Sequence, residues 1–305
     1  MKKGLLGLAL ATLGGAAYLW WGLPPRAAVR ALAREIPGRT SLMRQREEEA
    51  RAAGRTPRIV QQTVPISRIS RHLIHAVVAA EDQKFFGHEG VDWEAIADSM
   101  EVNTAGRRFA RGGSTITQQL AKNLFFTTHK TLTRKLRELV VARWLEDELS
   151  KKRILELYLN LIEWGDGIYG CQAAALRYYG KPCADLDATE AAGLAAMIPN
   201  PRRINPRVDP ARHARAQRRV LWLMAQAGYL GRQAGGLGSE PPPAEEVEEG
   251  GGDESEPLAV EQPPAQRARP APTAGAPSPP ESTPQPAASP SPAPSGTGTR
   301  PEARR

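Results

Sequence analysis

Four short stretches hold side chains whose types and spacing could do chemistry. In the first, the acids Glu81-Asp82 close an apolar run and are followed by Phe85-Phe86 and His88-Glu89-Gly90. A carboxyl group at a helix end beside apolar rings is partly desolvated, which raises its pKa and fits it to take a proton. An ordinary acidic loop has the same letters, so the pattern alone leaves both open. The second is Gly112-Gly113-Ser114-Thr115-Ile116-Thr117-Gln118-Gln119-Leu120-Ala121-Lys122-Asn123. Glycines before a helix start leave N–H groups free at the positive dipole end, which suits an anion. Gln118 and Lys122 are four apart and share a helix face. The lysine that a P-loop needs beside Ser/Thr is absent, and a plain capped helix is the competing reading.

The third stretch is Lys130-Thr131-Leu132-Thr133-Arg134-Lys135-Leu136-Arg137-Glu138. Arg134 and Glu138 fall within about 40° of each other around a helix. As a surface ion pair they are worth at most ~0.5 kcal/mol. Four cations in eight residues exceed what one pair requires; together with Lys122 they could bind a pyrophosphate. The fourth, residues 151–160, is an amphipathic helix whose role is read as structural. Metal chemistry finds little support: His72 and His75 lack a third ligand, and His88-Glu89 lacks the second histidine of a zinc-protease helix. Cys171 and Cys183 exclude a four-thiolate zinc site, and their spacing leaves open whether they pair.

These groups need elements to position them. Ile69, Leu73, Val77 and Ala80 recur at helical spacing, which predicts a helix over 67–80 that ends near Glu81. Asp92 is placed to cap a helix carrying Trp93, Ile96 and Met100, broken at 103–106. A helix follows Ser114 through Ile116, Leu120 and Leu124, and a longer one covers 131–149. Ser150 caps the next, Gly165, Gly167 and Gly170 form a loop, and helical patterns return at 173–179, 188–197 and 210–227. Strand-like alternation is scarce, so the body is predicted to be mostly α.

Composition sets the boundaries. Of 27 prolines, 17 fall in residues 241–305, where 5 Lys/Arg meet 10 Asp/Glu. Such a tail cannot bury enough apolar surface to offset its ordering entropy and is expected to be disordered. Residues 1–240 carry 36 Lys/Arg against 23 Asp/Glu, and the globular part is at most about 200 residues, enough for one core. Residues 4–23 hold no charge, long enough as a helix to span roughly 30 Å of hydrocarbon. Tyr18, Trp20 and Trp21 sit at its far end and Pro24-Pro25 stop it. An uncleaved anchor is expected over a cleaved signal peptide, because no small-x-small cleavage site follows cleanly. The expected organisation is a stub (1–3), the anchor (4–23), a juxtamembrane segment with a short polar helix at 44–53 (24–58), a domain (59–232) and the tail (233–305).

Taken in order, these stretches resemble the signature blocks of glycosyltransferase family 51, the peptidoglycan glycosyltransferases. Glu81-Asp82, Phe85, His88 and Gly90 resemble the first block; Gly113 to Leu120 with Lys122-Asn123 resemble the second closely. Arg134-Lys135 and Glu138 are similar to the third, and Ile154-Leu155-Glu156 with Tyr158-Leu159-Asn160 to the fourth. Gly170, Ala173-Ala174 and Tyr178-Tyr179-Gly180-Lys181 resemble the fifth, with Tyr179 where phenylalanine is usual. Glu163-Trp164-Gly165-Asp166-Gly167 and Pro199-Asn200-Pro201-Arg202-Arg203 resemble the monofunctional Gram-negative branch. The likeness covers roughly 59–225, and no Ser-x-x-Lys or Lys-Thr-Gly of a transpeptidase is present. Relatives usually carry arginine where Lys130 stands.

The resemblance implies a lysozyme-like glycosyltransferase domain with a large lobe and a small jaw lobe, one N-terminal transmembrane helix and a cytoplasmic N-terminus. The domain would stand on the periplasmic side of the inner membrane. It implies polymerisation of lipid II: the GlcNAc 4-hydroxyl of lipid II attacks the lipid-pyrophosphate-linked growing glycan, a β-1,4 bond forms and undecaprenyl pyrophosphate leaves. Glu81 would be the base. Lys122, Arg134 and Lys135, with Lys130, would receive the pyrophosphate. Glu138 would hold those cations or bind a divalent ion such as Mg or Mn. Asp82, Ser114, Gln118, Gln119 and Asn123 would line the cleft. The expected partners are lipid II, the glycan strand, the membrane and other wall-synthesis or division proteins; a body exported by an anchor has no nucleic acid to meet. Two rivals are a lytic glycosidase, whose neutral leaving group needs no cations beside its acids, and a non-catalytic membrane scaffold.

Overall fold

The computed structural model describes residues 2–97, 113–129 and 131–230, the side chains of 2–6, 8, 9 and 11 aside. Met100, the break at 103–106, Gly112, Lys130 and the tail at 233–305 therefore lie outside the described residues. The described chain is mostly helical: α1 (Lys2–Trp21), α2 (Arg26–Ala31), α3 (Ser41–Ala52), α4 (Arg71–Glu81), α5 (Ile116–Phe125), α6 (Leu132–Glu148), α7 (Lys151–Leu161), α8 (Cys171–Tyr179), α9 (Ala188–Ala195) and α10 (Pro210–Gln226). Residues 93–97 form a further helical stretch that Asp92 opens, its carboxylate accepting from Ala95 N–H at 2.9 Å.

The helix starts are written in side-chain oxygens. Thr40, Ser70, Thr115, Thr131, Ser150 and Asp209 each accept a backbone N–H of the first turn that has no helical partner. Asp187 and Glu190 cap α9 reciprocally. α4 is the centre of the core. Leu73, Ala76, Val77 and Ala79 are fully buried along it, and α9 and α10 pack against it. α5 packs against α3, α6 and α7, so the polar helix is held on three sides.

Three very short strands join this body. β1 (Val60–Gln61) runs parallel to β3 (Ile168–Tyr169), and β2 (Glu163–Gly165) pairs antiparallel to β3 with a register shift, giving the order β1-β3-β2. The expected glycine loop at 165–170 is thus a small hairpin. Strands of two or three residues are too short for an alternating pattern to register. Gly170 has φ +84°, and a Cβ there would meet the carbonyl oxygens of Gln62 at 2.7 Å and Asn160 at 3.0 Å, so only glycine fits. Buried Asn160 in turn accepts from Val64 N–H at 2.8 Å and donates to Val64 O at 2.9 Å. That clamps the chain entering α4 and supports the structural reading of α7.

The segment 24–58 is built into the body. Val29 and Met43 are fully buried. Arg26 pairs with Glu148 at 2.9 Å and Asp147 at 3.3 Å at the end of α6. α1 lies against α6: Arg137 donates to the carbonyls of Tyr18 at 2.6 Å and Leu19 at 3.1 Å, and Trp20 meets Trp144 edge-on. Among the described residues no helix is long and apolar enough to cross a membrane.

Candidate active site

The first acid pair splits into two environments. Asp82, the C-cap of α4, is 7% exposed. Its carboxylate accepts from Ile116 N–H, the first amide of α5, at 3.0 Å. Both its oxygens also lie 3.0 Å from His88 Nε2. His88 Nδ1 accepts from Gly90 N–H at 3.1 Å, which fixes the ring proton on Nε2, facing Asp82. Gly90, with φ +91°, lies against α6, where a Cβ would meet Ala142 O at 3.1 Å. Its own carbonyl accepts from Thr115 Oγ1 at 2.7 Å and Gln118 Nε2 at 3.4 Å. The loop 82–90 therefore bolts the end of α4 to the start of α5, and an anionic carboxylate at a helix N-terminus gains from the dipole.

Glu81, half-buried, faces the other way. Gln119 Nε2 donates to its carboxylate at 2.7 Å. Tyr158 O–H donates to Gln119 Oε1 at 2.7 Å, which fixes the amide with its NH₂ toward Glu81. Burial first, then the charges of Glu81 and Asp82, push the Tyr158 phenol well above its ordinary range, so it stays a donor.

Lys135 of α6 reaches Gln118, the residue before Gln119 on α5, and Arg134 of the same helix joins it around Glu138. Lys135 Nζ donates to Ser114 Oγ at 2.7 Å and to Gln118 Oε1 at 2.9 Å, and stands 3.8 Å from Glu138 Oε2. Arg134 pairs with Glu138 Oε1 and donates through Nε to His129 O at 2.6 Å. Glu138 is 3% exposed. Burial raises its pKa, against the pull of Arg134, Lys135 and Lys122. Asn123 is buried on the same helix as Lys122. Lys130 lies outside the described residues. One turn of α5 thus reaches the acid through Gln119 and the cation cluster through Gln118. Asp82 spends its oxygens on His88 and α5.

Three residue groups were not singled out from the letters. Tyr158 sits in a block whose apolar neighbours dominate it. Thr117, Glu146 and Lys151 form a second link: Glu146 Oε1 accepts from Thr117 at 2.6 Å and Lys151 at 2.8 Å, and the Lys151 ammonium lies 4.5 Å over the Phe85 ring. Gln45 of α3 reaches the loop before α6, its Oε1 accepting from Thr128 N–H at 2.8 Å and its amide donating to Thr128 Oγ1. Only contact across the fold reveals it. A groove of about 930 Å³, lined by His88, Asp92, Trp93, Val140, Arg143 and Trp144 among others, opens beside this site.

No three His, Cys, Asp or Glu side chains gather to hold a metal ion among the described residues. Glu138 has one oxygen on Arg134 and the other near Lys135. Its surroundings fit a clamp on cations and do not fit a protein-held divalent ion.

A family model described as Transglycosylase matches residues 49–225. The chain belongs to the transglycosylase family. A protein of Dechloromonas aromatica (strain RCB) named biosynthetic peptidoglycan transglycosylase is 52% identical over 166 residues, covering 54% of this chain and 72% of the relative. One of the same name from Azoarcus sp. (strain BH72) is 47% identical over 189 residues, covering 61% and 82%. Another, from Rhodospirillum centenum (strain ATCC 51521 / SW), is 44% identical over 206 residues, covering 68% and 81%. The transglycosylase match takes in Glu81, α5, α6 and α7, and begins inside α3, just after Gln45.

Proposed function

We propose that this transglycosylase polymerises lipid II into peptidoglycan glycan strands. Glu81 is the general base: it takes the proton of the acceptor's GlcNAc 4-hydroxyl as that oxygen attacks C1 of the donor MurNAc. Gln119, oriented by Tyr158, donates to Glu81 and holds its carboxylate in one direction. As the α-linked pyrophosphate departs, negative charge builds on its oxygens. Lys122, Arg134 and Lys135, with Lys130, stabilise that charge, and a β-1,4 bond results. Glu138 keeps Arg134 and Lys135 in register. Ser114, Gln118 and Asn123 line the cleft, and Asp82 fixes the junction on which it is built.

The observation that carries this reading is the single turn of α5 touching Glu81 on one side and Lys135 on the other. A hydrolase releasing a neutral sugar has no use for the cations.

The uncharged run at 4–23 supports an anchor, with the N-terminus cytoplasmic and the domain on the outer face of the inner membrane. Leu132, Leu136 and Val140, four apart and exposed on the helix that α1 packs against, support apposition of that face to lipid. The deciding experiment gives purified full-length protein lipid II in detergent. Glycan strands are expected from the native protein, none from Glu81→Gln, and strands again from Lys130→Arg. Soluble muropeptides released from finished peptidoglycan, or full activity of Glu81→Gln, would overturn it.

A further inference from the structure

Away from the site, the chain's two cysteines meet. Cys171 opens α8 and Cys183 opens a short 3-10 turn (Cys183–Asp185). Both are free and fully buried, and their sulfurs stand 3.5 Å apart. We propose that Cys171 and Cys183 are a disulfide site, closed within one chain when the protein meets a small-molecule or protein disulfide. This does not depend on the glycan chemistry. It rests on the geometry of two thiols that share no function with Glu81 or the cations.

The sulfurs, 3.5 Å apart, must approach by about 1.5 Å to reach bonding distance. The Cys171 thiol donates to the Cys183 sulfur. That contact first of all lowers the Cys183 pKa and raises that of Cys171, so Cys183, once its own contact to Arg68 O at 3.4 Å is released, is the readier of the two to attack as thiolate. A pocket of about 650 Å³, lined by Arg68, Gln172, Pro182 and Ala184 among others, borders the residues flanking both cysteines, and a local opening of the Cys183–Asp185 turn toward it brings the buried Cys183 sulfur to the co-reactant. The exchange balances. The Cys183 thiolate attacks the external disulfide and expels one thiol. Cys171 then loses its proton and attacks the Cys183 sulfur, expelling the second. Two protein thiols are oxidised to one disulfide, and one external disulfide is reduced to two thiols.

Such a bond would brace the base of α4. Cys183 O accepts from Ser70 N–H at 3.1 Å, and Leu186 O accepts from Ser70 Oγ at 2.7 Å. Ser70 is the N-cap of the helix that ends at Glu81. Tying this turn to α8 therefore fixes the far end of the helix that carries the proposed base.

The test incubates the full chain with excess glutathione disulfide, then denatures it and alkylates. Two thiols per chain are expected to fall to none, with a mass loss of two hydrogens, a single peptide pair linking the two cysteines and a higher melting temperature, all reversed by dithiothreitol. In Cys171→Ser, which lacks the second thiol, one glutathione should remain on Cys183. Two alkylatable thiols in the treated native protein, glutathione retained on it, or a link between two chains would overturn the proposal.

Discussion

Gln119 donates its side-chain amide to the Glu81 carboxylate at 2.7 Å while accepting from Tyr158 at the same distance. The amide has one orientation because the Glu81 carboxylate can only accept, while the phenol keeps its proton and donates to the remaining oxygen. If Glu81 is the base, Glu81→Gln should cost about 10²–10⁴-fold in strand synthesis, the range over which a positioned proton acceptor acts. Tyr158→Phe leaves the carboxylate in place but releases the amide. Losing about 1 kcal/mol of orientation should lower kcat about fivefold with KM little changed. Steady-state assays with labelled lipid II check both. Equal kcat for Tyr158→Phe and the native protein would remove Gln119 from the mechanism.

Asp82 is expected to behave differently from its neighbour. It binds the first amide of α5 and the His88 ring, so its loss should be felt as stability. Asp82→Asn keeps the shape but trades charge-assisted hydrogen bonds for neutral ones, a cost of about 1.5–3 kcal/mol. Urea unfolding should show a lower midpoint at unchanged slope. A variant of native stability that has lost activity would instead make Asp82 a substrate contact.

Much of this was legible in the letters. The end of α4 at Glu81 and the presence of α5 and α6 followed from apolar spacing, and the start of α7 from the Ser150 cap, because these signals are local; the Thr115 and Thr131 caps emerged only in the structure. Glu81, Gln118, Gln119, Arg134, Lys135 and Glu138 do come together, which the order of blocks suggested. The short strands were not legible, since two paired residues carry no period. Neither was the role of α3. Gln45 and Arg46 face a polar helix surface in sequence, yet Arg46 is bonded to Glu163 at 3.1 Å and Gln45 to Thr128. Those partners lie far along the chain, and no pattern within α3 points to them. The turning of Asp82 away from its neighbour depends on where α5 begins in space, again a tertiary fact.

Glu138 gives a pH test with a definite sign. Its pKa is raised, chiefly by burial, above that of the unfolded chain. The folded state therefore holds the proton to higher pH than the unfolded state. That contribution to stability is full below the ordinary glutamate pKa and is lost as pH rises through the raised one. Glu138→Gln cannot titrate. From about pH 4 to about pH 7, the melting temperature of native protein should fall relative to that of Glu138→Gln. Parallel curves would mean that the ion pair with Arg134 outweighs burial.

The contact between α3 and the loop before α6 bears on affinity. Thr128 is held by Gln45 through its N–H and hydroxyl, and the next residue's carbonyl accepts from Arg134 Nε. Gln45→Ala should let this loop move and leave the cations less well gathered where the lipid pyrophosphate would bind. Two neutral hydrogen bonds at about 0.5–1.5 kcal/mol each set an upper bound, so KM for lipid II should rise by roughly threefold to tenfold with kcat within about twofold. Gln45→Glu keeps the acceptor for Thr128 N–H and gives the Thr128 hydroxyl an acceptor, but it replaces the amide's hydrogen bond to Glu49 with a facing carboxylate, so it should recover only part of the affinity. A merely structural role for α3 predicts a different pattern: both variants would lose melting temperature in proportion to their lost activity, and KM and kcat would move together.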